Sequence, residues 1–232
     1  VRPRRSLLSI PNGIRLDAFA VSNPASREAL LAELGLAPGT RIIGTVGRLQ
    51  PVKDPALLLR AFAKVRVQVP EAALVIVGDG PLRAALEAQA EQAGLSDAVR
   101  FMGDRHDVPR LLTGMEVFAL TSTSEGYSVA LLEACASSLP LVATDVGGNR
   151  EIVRHGINGR LVPSGDTAAI ATALYGGAGM VGRRPGVGDA GLRPTRAAAS
   201  AVPARLTVGS LFTSTPSIIT ILHTPLVFFN PY

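Results

Sequence analysis

The sequence contains very little cysteine and few aromatic residues. Its one cysteine, Cys135, lies in an apolar predicted helix and cannot form an internal disulfide, so we expect it to pack in the core. Tryptophan is absent and aromatic residues make up only 4% of the chain, so we expect no aromatic platform for single-stranded nucleic acid. The apolar content of 47% is still sufficient for a core without disulfides or metal.

Long hydrophobic runs are also missing. The longest apolar stretch, residues 217–229, is too short and too interrupted to cross a bilayer, and no signal peptide is visible. The net charge of +5 is confined to the two ends of the chain. Residues 1–5 carry +3 and residues 176–232 carry +4, which leaves 15 basic against 17 acidic residues between them. We therefore expect no nucleic-acid partner.

Two common site signatures are absent. The chain has no D-x-D metal motif, and no histidine has the spacing of a metal site, so we expect no metal. No strand end carries the G-x-G-x-x-G of dinucleotide enzymes, which argues against a dehydrogenase. The GDG sequence at 78–80 is only a weak signal.

What the sequence does contain is a regular alternation of predicted strands and helices over residues 41–174. The strands are short, apolar and without polar alternation, so both faces of their sheet are buried. This pattern predicts a doubly wound α/β domain with a Rossmann-like parallel sheet, in which ligands bind at the carboxyl ends of the strands. The predicted strands are 41–49, 72–80, 99–104, 116–122, 139–145 and 159–163, with helices over 54–68, 81–94 and 107–114.

Residues 176–232 have a different texture. Glycine, proline, alanine and arginine dominate at its start, and the segment has no lysine, no glutamate and no periodicity. A frame change in the coding sequence or a natural low-complexity tail would produce such a segment, and we favour the former. We assign this tail no function.

Two cations follow the first predicted strand. In TVGRLQPVKDP (45–55), Arg48 and Lys53 emerge on the turn before a helix. At the carboxyl end of a strand, a planar arginine fork and a mobile lysine can together hold a diphosphate. The alternative, which this motif alone favours, is two solvated surface cations.

Two glutamates flank a predicted helix start in SEGYSVALLE (124–133). If the helix begins at Tyr127 or Ser128, the free amides of residues 126–129 form an anion site. Eight residues place Glu133 about 80° from Glu125 on a helix, so both acids are expected on nearly the same side. A carboxylate there can accept two hydrogen bonds from a ribose diol. The alternative is that Glu125 caps the helix and Glu133 pairs with a cation.

Together these motifs resemble a known family. The chain is similar to the C-terminal, donor-binding half of family-4 retaining glycosyltransferases, which have the two-Rossmann-domain GT-B architecture. The matching segments follow the family's order: IPNGI (10–14), GTVGRLQPVKDP (44–55), LVIVGDGP (74–81), VRFMGDRHDVPRLL (99–112), SEGYSVALLEA (124–134), LPLVATDVGGNREIV (139–153) and GINGRLVPSGD (156–166).

The resemblance implies a role for each charged candidate. Arg48 and Lys53 would neutralise the departing diphosphate, and Glu125 would contact the hydroxyls of the transferred sugar. Glu133 would hold the ribose. By the same resemblance, Arg48, Lys53 and Glu125 are the expected catalytic residues.

Further donor contacts are implied around them. The amides of Gly126, Tyr127, Ser128 and Val129 would hold the phosphate nearest the sugar. Arg105 and His106 lie in the segment that contacts the base, largely through its backbone. Gly147 and Gly148 would form a close-approach turn facing the same crevice. Ser138 departs from the family, which usually has glycine at this helix end, and a left-handed serine would cost about 1 kcal/mol.

The implied activity is transfer of a sugar, with retention, from a nucleotide-diphosphate sugar such as a UDP-sugar, for polysaccharide, lipid-linked sugar or glycoside synthesis. The donor is a substrate, and no cofactor is expected. Residues 1–23 would be an interdomain remnant with a first turn, 24–175 the donor domain and 176–232 the tail. The acceptor, and any membrane association, would require a missing N-terminal domain, and the expected location is the cytoplasm, including the inner face of the membrane. The alternatives are a catalytically incompetent nucleotide-sugar binding fragment and a nucleotide-sugar 2-epimerase.

Overall fold

The computed structural model describes residues 12–19 and 24–175, so the tail predicted over 176–232 lies outside the described residues. Short 3-10 helices occur at Leu16–Ala18 and Pro51–Lys53. The other elements alternate along the chain: α1 (Pro24–Glu33), β1 (Arg41–Val46), α2 (Pro55–Gln68), β2 (Ala72–Val77), α3 (Arg83–Gln92), β3 (Val99–Phe101), α4 (Val108–Thr113), β4 (Val117–Leu120), α5 (Val129–Ala136), β5 (Leu141–Thr144), α6 (Asn149–Ile152), β6 (Gly159–Val162) and α7 (Thr167–Tyr175).

The six strands form one parallel sheet in the order β3-β2-β1-β4-β5-β6. Successive strand residues point to opposite faces, so Ile42 packs with α1, α4 and α5 while Ile43 packs with α2, α3 and α7. Every residue of β2 is buried, as is every residue of β4 and β5. The doubly wound α/β fold expected from the apolar strands is therefore confirmed.

The strand order reverses between β1 and β4. From β1 the chain first winds outward to β2 and β3, and it then returns to place β4 on the other side of β1. At such a switch point the loops that leave the carboxyl ends of the two strands diverge and open a crevice between them. Arg48 follows β1 and Glu125 follows β4, so both candidates lie at this crevice.

The start of α2 is fixed by Asp54 and Pro55. Asp54 adopts a left-handed conformation (φ 41°), and its carboxylate accepts a hydrogen bond of 3.1 Å from the amide of Leu57. Pro55 occupies the first turn, where its missing N–H costs nothing. This cap turns the chain sharply after Lys53.

Helix α5 has a serine at each boundary. Ser128 caps its start by accepting a hydrogen bond from the amide of Leu131. Beyond its end, Ser138 has φ 59°, and the next amide, of Leu139, donates back to the carbonyl of Ala134 at 3.0 Å. Ser138 therefore adopts the left-handed cap conformation in which glycine would be favoured.

Three helices fall outside the sequence predictions. The sequence patterns do not mark α1, α6 or α7, and α6 is only four residues long. The strands are also shorter than predicted, because their predicted ends include the loops at the crevice. None of the described helices combines the length and apolar character needed to cross a membrane.

Candidate functional site

A cavity of about 420 Å³ opens at the carboxyl ends of β1, β2 and β3. It is of a size that suits a small-molecule ligand. It lies on the β2 side of the switch point, and Glu125 and Glu133 are not part of its wall. Its lining consists of Val46, Gly47, Arg48, Val77, Gly78, Asp79, Gly80, Asp104, Arg105 and Val108.

Arg48 stands at the junction between this cavity and the loop after β1. Its side chain is exposed, and it has no hydrogen bond or ion pair within the described part of the chain. A guanidinium in this position is free to bind an anion. The described contacts therefore agree equally with the predicted phosphate site and with the solvated cation that the motif alone suggested.

Lys53 is held in a defined place by its backbone. It ends the Pro51–Lys53 3-10 helix, and the hydroxyl of Thr121 donates to the carbonyl of Lys53 at 3.2 Å and to that of Asp54 at 2.9 Å. The Lys53 ammonium lies 2.6 Å from Glu125 Oε1. Lys53 is therefore not the solvated cation of the alternative interpretation.

Glu125 is a nearly buried acid of the crevice whose carboxylate is held by two side chains. Its side chain is 9% exposed, and the same Oε1 atom accepts hydrogen bonds from Lys53 and, at 2.7 Å, from the Ser122 hydroxyl. The carbonyl of Ser122 in turn accepts from the hydroxyl of Thr144 at 2.6 Å. Sequence reasoning missed Ser122 and Thr144, although both are polar residues at the ends of apolar strands, which is the signal that could have found them.

The expected relation between the two glutamates needs a correction. Only Glu133 belongs to α5, since the cap is Ser128 and Glu125 lies three residues before it in a loop. The helical offset of about 80° therefore does not apply to this pair. The alternative that Glu125 caps the helix is also wrong, because its carboxylate is engaged by Lys53.

Helix α5 points its amino end toward this loop. The amides of Gly126, Tyr127, Ser128 and Val129 donate no hydrogen bond within the described residues. The carbonyl of Tyr127 accepts a hydrogen bond of 3.2 Å from the side chain of Asn12. Free amides together with the positive end of a helix can bind an anion.

Glu133 is the fifth of the eight residues of α5 and is partly buried. Burial raises the pKa of its carboxyl group, and no other charge or donor offsets that effect. In the part of the chain that the structure describes, it has neither a hydrogen bond nor an ion pair. The expected cation partner of the alternative interpretation is thus not found there, and the carboxylate keeps its full capacity to accept hydrogen bonds.

Gly147 and Gly148 form the predicted close-approach turn. Gly147 has φ 47°, and a Cβ atom there would overlap the carbonyl oxygen of Glu125. A Cβ atom on Gly148 would overlap the carbonyl oxygen of Gly126. The close approach is therefore between two loops of the protein, and it fixes the backbone that carries Glu125.

Arg105 lines the cavity, but its hydrogen-bonding edge is already occupied. Its Nε and Nη2 atoms donate to the two oxygens of Asp107 at 2.8 and 2.9 Å, and Nη1 lies 3.0 Å from Glu33. These contacts with Asp107 first, and Glu33 second, raise the pKa of Arg105. His106 is exposed and does not line the cavity.

Comparison with known proteins gives a consistent result. Residues 26–175 match the model of the family described as glycosyl transferases group 1. This match covers more than half of the chain. The chain belongs to this family. The expected resemblance to GT-B glycosyltransferases is thereby confirmed.

Two curated relatives illustrate the range of this glycosyltransferase family. The D-inositol 3-phosphate glycosyltransferase of Nocardia farcinica is 35% identical over 199 residues, which cover 82% of this chain and 43% of that enzyme. The UDP-Gal:alpha-D-GlcNAc-diphosphoundecaprenol alpha-1,3-galactosyltransferase of Escherichia coli is 34% identical over 171 residues, covering 71% and 43%. The chain thus spans less than half the length of these glycosyltransferases.

Solved glycosyltransferase structures share the fold. HepE of Anabaena in complex with UDP and glucose superposes with a TM-score of 0.65 at 30% identity, over 71% of this chain and 45% of HepE. The C-terminal domain of the group 1 glycosyltransferase LpcC from Francisella tularensis superposes with a TM-score of 0.61 at 25% identity, over 70% and 86%. The superposed region is less than half of the HepE chain, whereas it is most of the LpcC domain.

The glycines of the weak GDG signal have a structural explanation in this chain. A Cβ atom on Gly80 would lie 2.5 Å from the carbonyl oxygen of Leu49, and one on Gly78 would overlap that of Gly47. The two glycines therefore let the loop after β2 pass directly beside the loop after β1. Among the described residues, no group of three or more histidine, cysteine or acidic side chains could hold a metal ion.

Proposed function

We propose that this chain is the donor-binding half of a retaining glycosyltransferase. The substrate would be a nucleotide-diphosphate sugar, and the sugar would pass to an acceptor with its anomeric configuration kept. Membership of the group 1 family supports the transfer of a sugar. The nucleotide donor is supported by HepE, which has been crystallised with UDP-glucose, and by the relative whose name specifies UDP-galactose.

The diphosphate would lie between the loop after β1 and the start of α5. Arg48 has no competing partner in the described residues, and the free amides of residues 126–129 supply further donors. As the bond between the anomeric carbon and the phosphate oxygen breaks, negative charge collects on that phosphate. Preorganised donors stabilise this charge without reorganisation, and this would be the main catalytic contribution of this half.

Lys53 and Glu125 would act as a pair. In the ligand-free chain the ammonium rests on Glu125 at 2.6 Å. Because a lysine side chain is mobile, the ammonium can turn to a donor phosphate while its backbone stays fixed by Thr121. The Glu125 carboxylate would then accept hydrogen bonds from the hydroxyls of the transferred sugar.

Glu133 would hold the ribose of the donor. A partly buried carboxylate without a partner is unfavourable in the empty protein, and two hydrogen bonds from a vicinal diol would offset that cost. Retention would follow if the acceptor attacks on the face that the diphosphate leaves. The acceptor proton would pass to the departing phosphate oxygen, and the new bond would form at the anomeric carbon.

The rest of the reaction would involve groups beyond the described site. The nucleotide sugar would be a substrate, and we propose no cofactor. An acceptor, in polysaccharide, lipid-linked sugar or glycoside synthesis, would bind between this half and an N-terminal domain. The whole enzyme would act in the cytoplasm, where nucleotide sugars are made, including at the inner face of the membrane.

One observation carries the proposal. Across the switch point, Lys53 contacts Glu125 while Arg48 and Glu133 have no partner in the described chain. A surface that needed only stability would pair these charges with each other or expose them all to water. A donor that contains a diphosphate and a diol would supply a partner for both.

Calorimetric titration of the full chain with UDP, GDP and ADP tests this proposal. One nucleotide should bind selectively, and Arg48→Ala and Glu133→Ala should each weaken its binding by about tenfold or more, because a hydrogen bond to a charged group contributes about 1.5–3 kcal/mol. Arg60→Ala, which removes an exposed cation of α2 away from the crevice, is the matched control. Absence of nucleotide binding by a folded chain would contradict the proposal.

A transfer assay separates the remaining alternatives. The full chain is incubated with the selected nucleotide's sugar donors, alone and joined to an acceptor domain of the same family. We expect transfer only in the joined form, and the anomeric configuration of the product, read by NMR, tests retention. Transfer by the chain alone would exclude an incompetent fragment. An epimerised donor without acceptor would favour the epimerase.

A further inference from the structure

A closed ring of four alternating charges connects α1 to the loop that follows β3. Glu33 ends α1, and its two carboxylate oxygens contact Arg105 at 3.0 Å and Arg110 at 2.7 Å. Asp107 contacts the same two arginines at 2.8 and 2.6 Å. The ring lowers the pKa of Glu33, with Arg110 as the largest cause, and that of Asp107, with Arg105 as the largest cause.

Only one member of the ring, Arg105, also lines the cavity. Its Nε and Nη2 atoms donate hydrogen bonds to Asp107, and its Nη1 atom lies 3.0 Å from a carboxylate oxygen of Glu33. A guanidinium held by its edge in this way has little capacity left to bind a phosphate. What it can still offer to a ligand is its flat face, on which a planar base can stack.

The other walls of the cavity fit the same kind of ligand. Backbone at Gly47, Gly78 and Gly80 and the apolar side chain of Val108 form uncharged surfaces. The carboxylate of Asp79 also lines the cavity, and it is paired with Arg83 at 2.9 Å. Asp104, exposed at the same end of the cavity, would repel a phosphate. The end near Arg105 therefore suits a neutral heterocycle, and the end near Arg48 suits the anion.

We infer that Glu33 is a positioning residue for the nucleobase: together with Asp107 it fixes Arg105 so that the guanidinium face forms a wall of the base pocket. This inference rests on the proposed function, because it concerns the base of the nucleotide donor. It goes beyond the expected base segment, since Glu33 lies on a helix that sequence reasoning did not predict and touches the cavity only through Arg105.

A double-mutant cycle tests the inference with UDP, GDP and ADP as probes on the full chain. Glu33→Gln should weaken binding of the preferred nucleotide by about two- to fivefold, the range that a partly exposed ion pair supports. In an Arg105→Ala background the same change should have no further effect, because Glu33 acts through Arg105. Glu28→Gln, an equal charge change at an exposed position of the same helix, is the control and should leave binding unaltered.

Hydrogen exchange of the ligand-free protein gives a readout that does not depend on the proposed function. Glu33→Gln should accelerate exchange of the amides of residues 103–107, and Glu28→Gln should not. Unchanged exchange, or an equal loss of nucleotide affinity in both backgrounds of the cycle, would overturn the positioning role. If the unmodified chain binds none of the three nucleotides, the proposed function fails and the base-pocket inference fails with it, whatever the exchange result.

Discussion

Charged side chains lie near both ends of strands β1 and β4, and the two ends differ in how these charges are paired. At the amino ends, Glu116 lies 2.9 Å from Arg41 and also contacts Arg27. At the carboxyl ends, Arg48 and Glu133 have no partner within the described residues. The comparison teaches that paired charges at one end of a sheet can secure the fold while unpaired charges at the other end remain available to a ligand.

The difference in pairing matters for stability because these charged side chains are partly buried. The Arg41 and Glu116 side chains are 16% and 17% exposed, and burial lowers the pKa of Arg41. Burial likewise raises the pKa of Glu133. Both ends thus contain charges that have lost part of their hydration. Glu116 and Arg41 at the amino ends have protein partners, and so does Glu125 near the carboxyl ends, whereas the carboxylate of Glu133 has none within the described residues. The Lys53–Glu125 pair is intermediate: its charges contact each other, like those at the amino ends, but the pair lies at the crevice where a ligand could bind.

We expect the largest effect from removing a charge that is paired at the amino ends of the strands. Glu116→Gln should lower the free energy of unfolding by about 2–3 kcal/mol, because it removes the carboxylate that two partly buried arginines, Arg27 and Arg41, both contact. Nucleotide affinity should stay unchanged. Urea denaturation measures the first effect, with Glu91→Gln at an exposed position of α3 as the control. A loss of unfolding free energy equal to that of the control would mean that the charge network at the amino ends does not stabilise the fold.

Removing a neutral hydrogen-bond donor just after the carboxyl end of β4 should lower the free energy of unfolding by less. Ser122 is fully buried and donates to Glu125 at 2.7 Å, so Ser122→Ala should cost about 1–2 kcal/mol of stability. It should also weaken binding of the nucleotide sugar more than that of the nucleotide, since Glu125 is proposed to contact the sugar. Ser124→Ala, at an exposed neighbouring position, provides the control in both measurements. Equal weakening of both ligands would refute this role of Ser122.

A substitution just beyond the carboxyl end of α5 provides a reference for stability changes in the helix that carries Glu133. Ser138→Gly should raise the free energy of unfolding by about 1 kcal/mol, because glycine adopts φ 59° without steric cost. Ala136→Gly in the same helix should have the opposite sign, since that position is helical. Thermal and urea unfolding measure both. A destabilised Ser138→Gly variant would show that the serine side chain contributes more than its backbone costs.

The smallest effect should come from neutralising the unpaired acid. Glu133→Gln should raise the free energy of unfolding at neutral pH by less than about 1 kcal/mol, because it removes a partly buried charge. A carboxyl whose pKa is raised on folding favours the folded state while protonated, and this contribution is lost as pH rises through the folded pKa. The gain should therefore vanish at acid pH, where Glu133 is itself neutral.

Urea denaturation of the Glu133→Gln variant and the unmodified chain at neutral and acid pH measures this difference, and nucleotide affinity should fall in the same variant. Higher stability with lower affinity is the expected signature of a binding carboxylate. A loss of stability at neutral pH would instead indicate that Glu133 has a stabilising partner in the protein.

Much of the fold followed from local sequence patterns. The apolar runs predicted all six strands, and their lack of alternation predicted a sheet covered on both faces. The predicted starts of α2 at Asp54 and of α5 at Tyr127 or Ser128 lie within two residues of the observed starts at Pro55 and Val129. The patterns did not predict α1, α6 or α7. Helix α6 is only four residues long, but α7 was missed although Asp166 accepts a hydrogen bond from the amide of Ala169 at its start.

The candidate site was predicted less completely. Arg48 and Lys53 were recognised as cations at a strand end, and Glu125 and Glu133 as acids near a helix start. The sequence could not predict that Lys53 would contact Glu125, since 72 residues separate them. The charge ring of Glu33 was missed for the same reason. Ser122 lies only three residues from Glu125 and was missed although a polar residue at the end of an apolar strand is a local signal.

The sequence by itself determined which segments are buried, where the backbone turns and which charged residues follow the strands, because these properties depend on the residue and its near neighbours. Only the tertiary structure decided which charges meet. The reversal of strand order placed the loop after β1 against the loop after β4, so Lys53 gained a partner, while the side chains of Arg48 and Glu133 have none in the part of the chain that the structure describes. Electrostatic interaction depends on distance in space, and in a sheet of this order that distance is set by strand adjacency rather than by position along the chain.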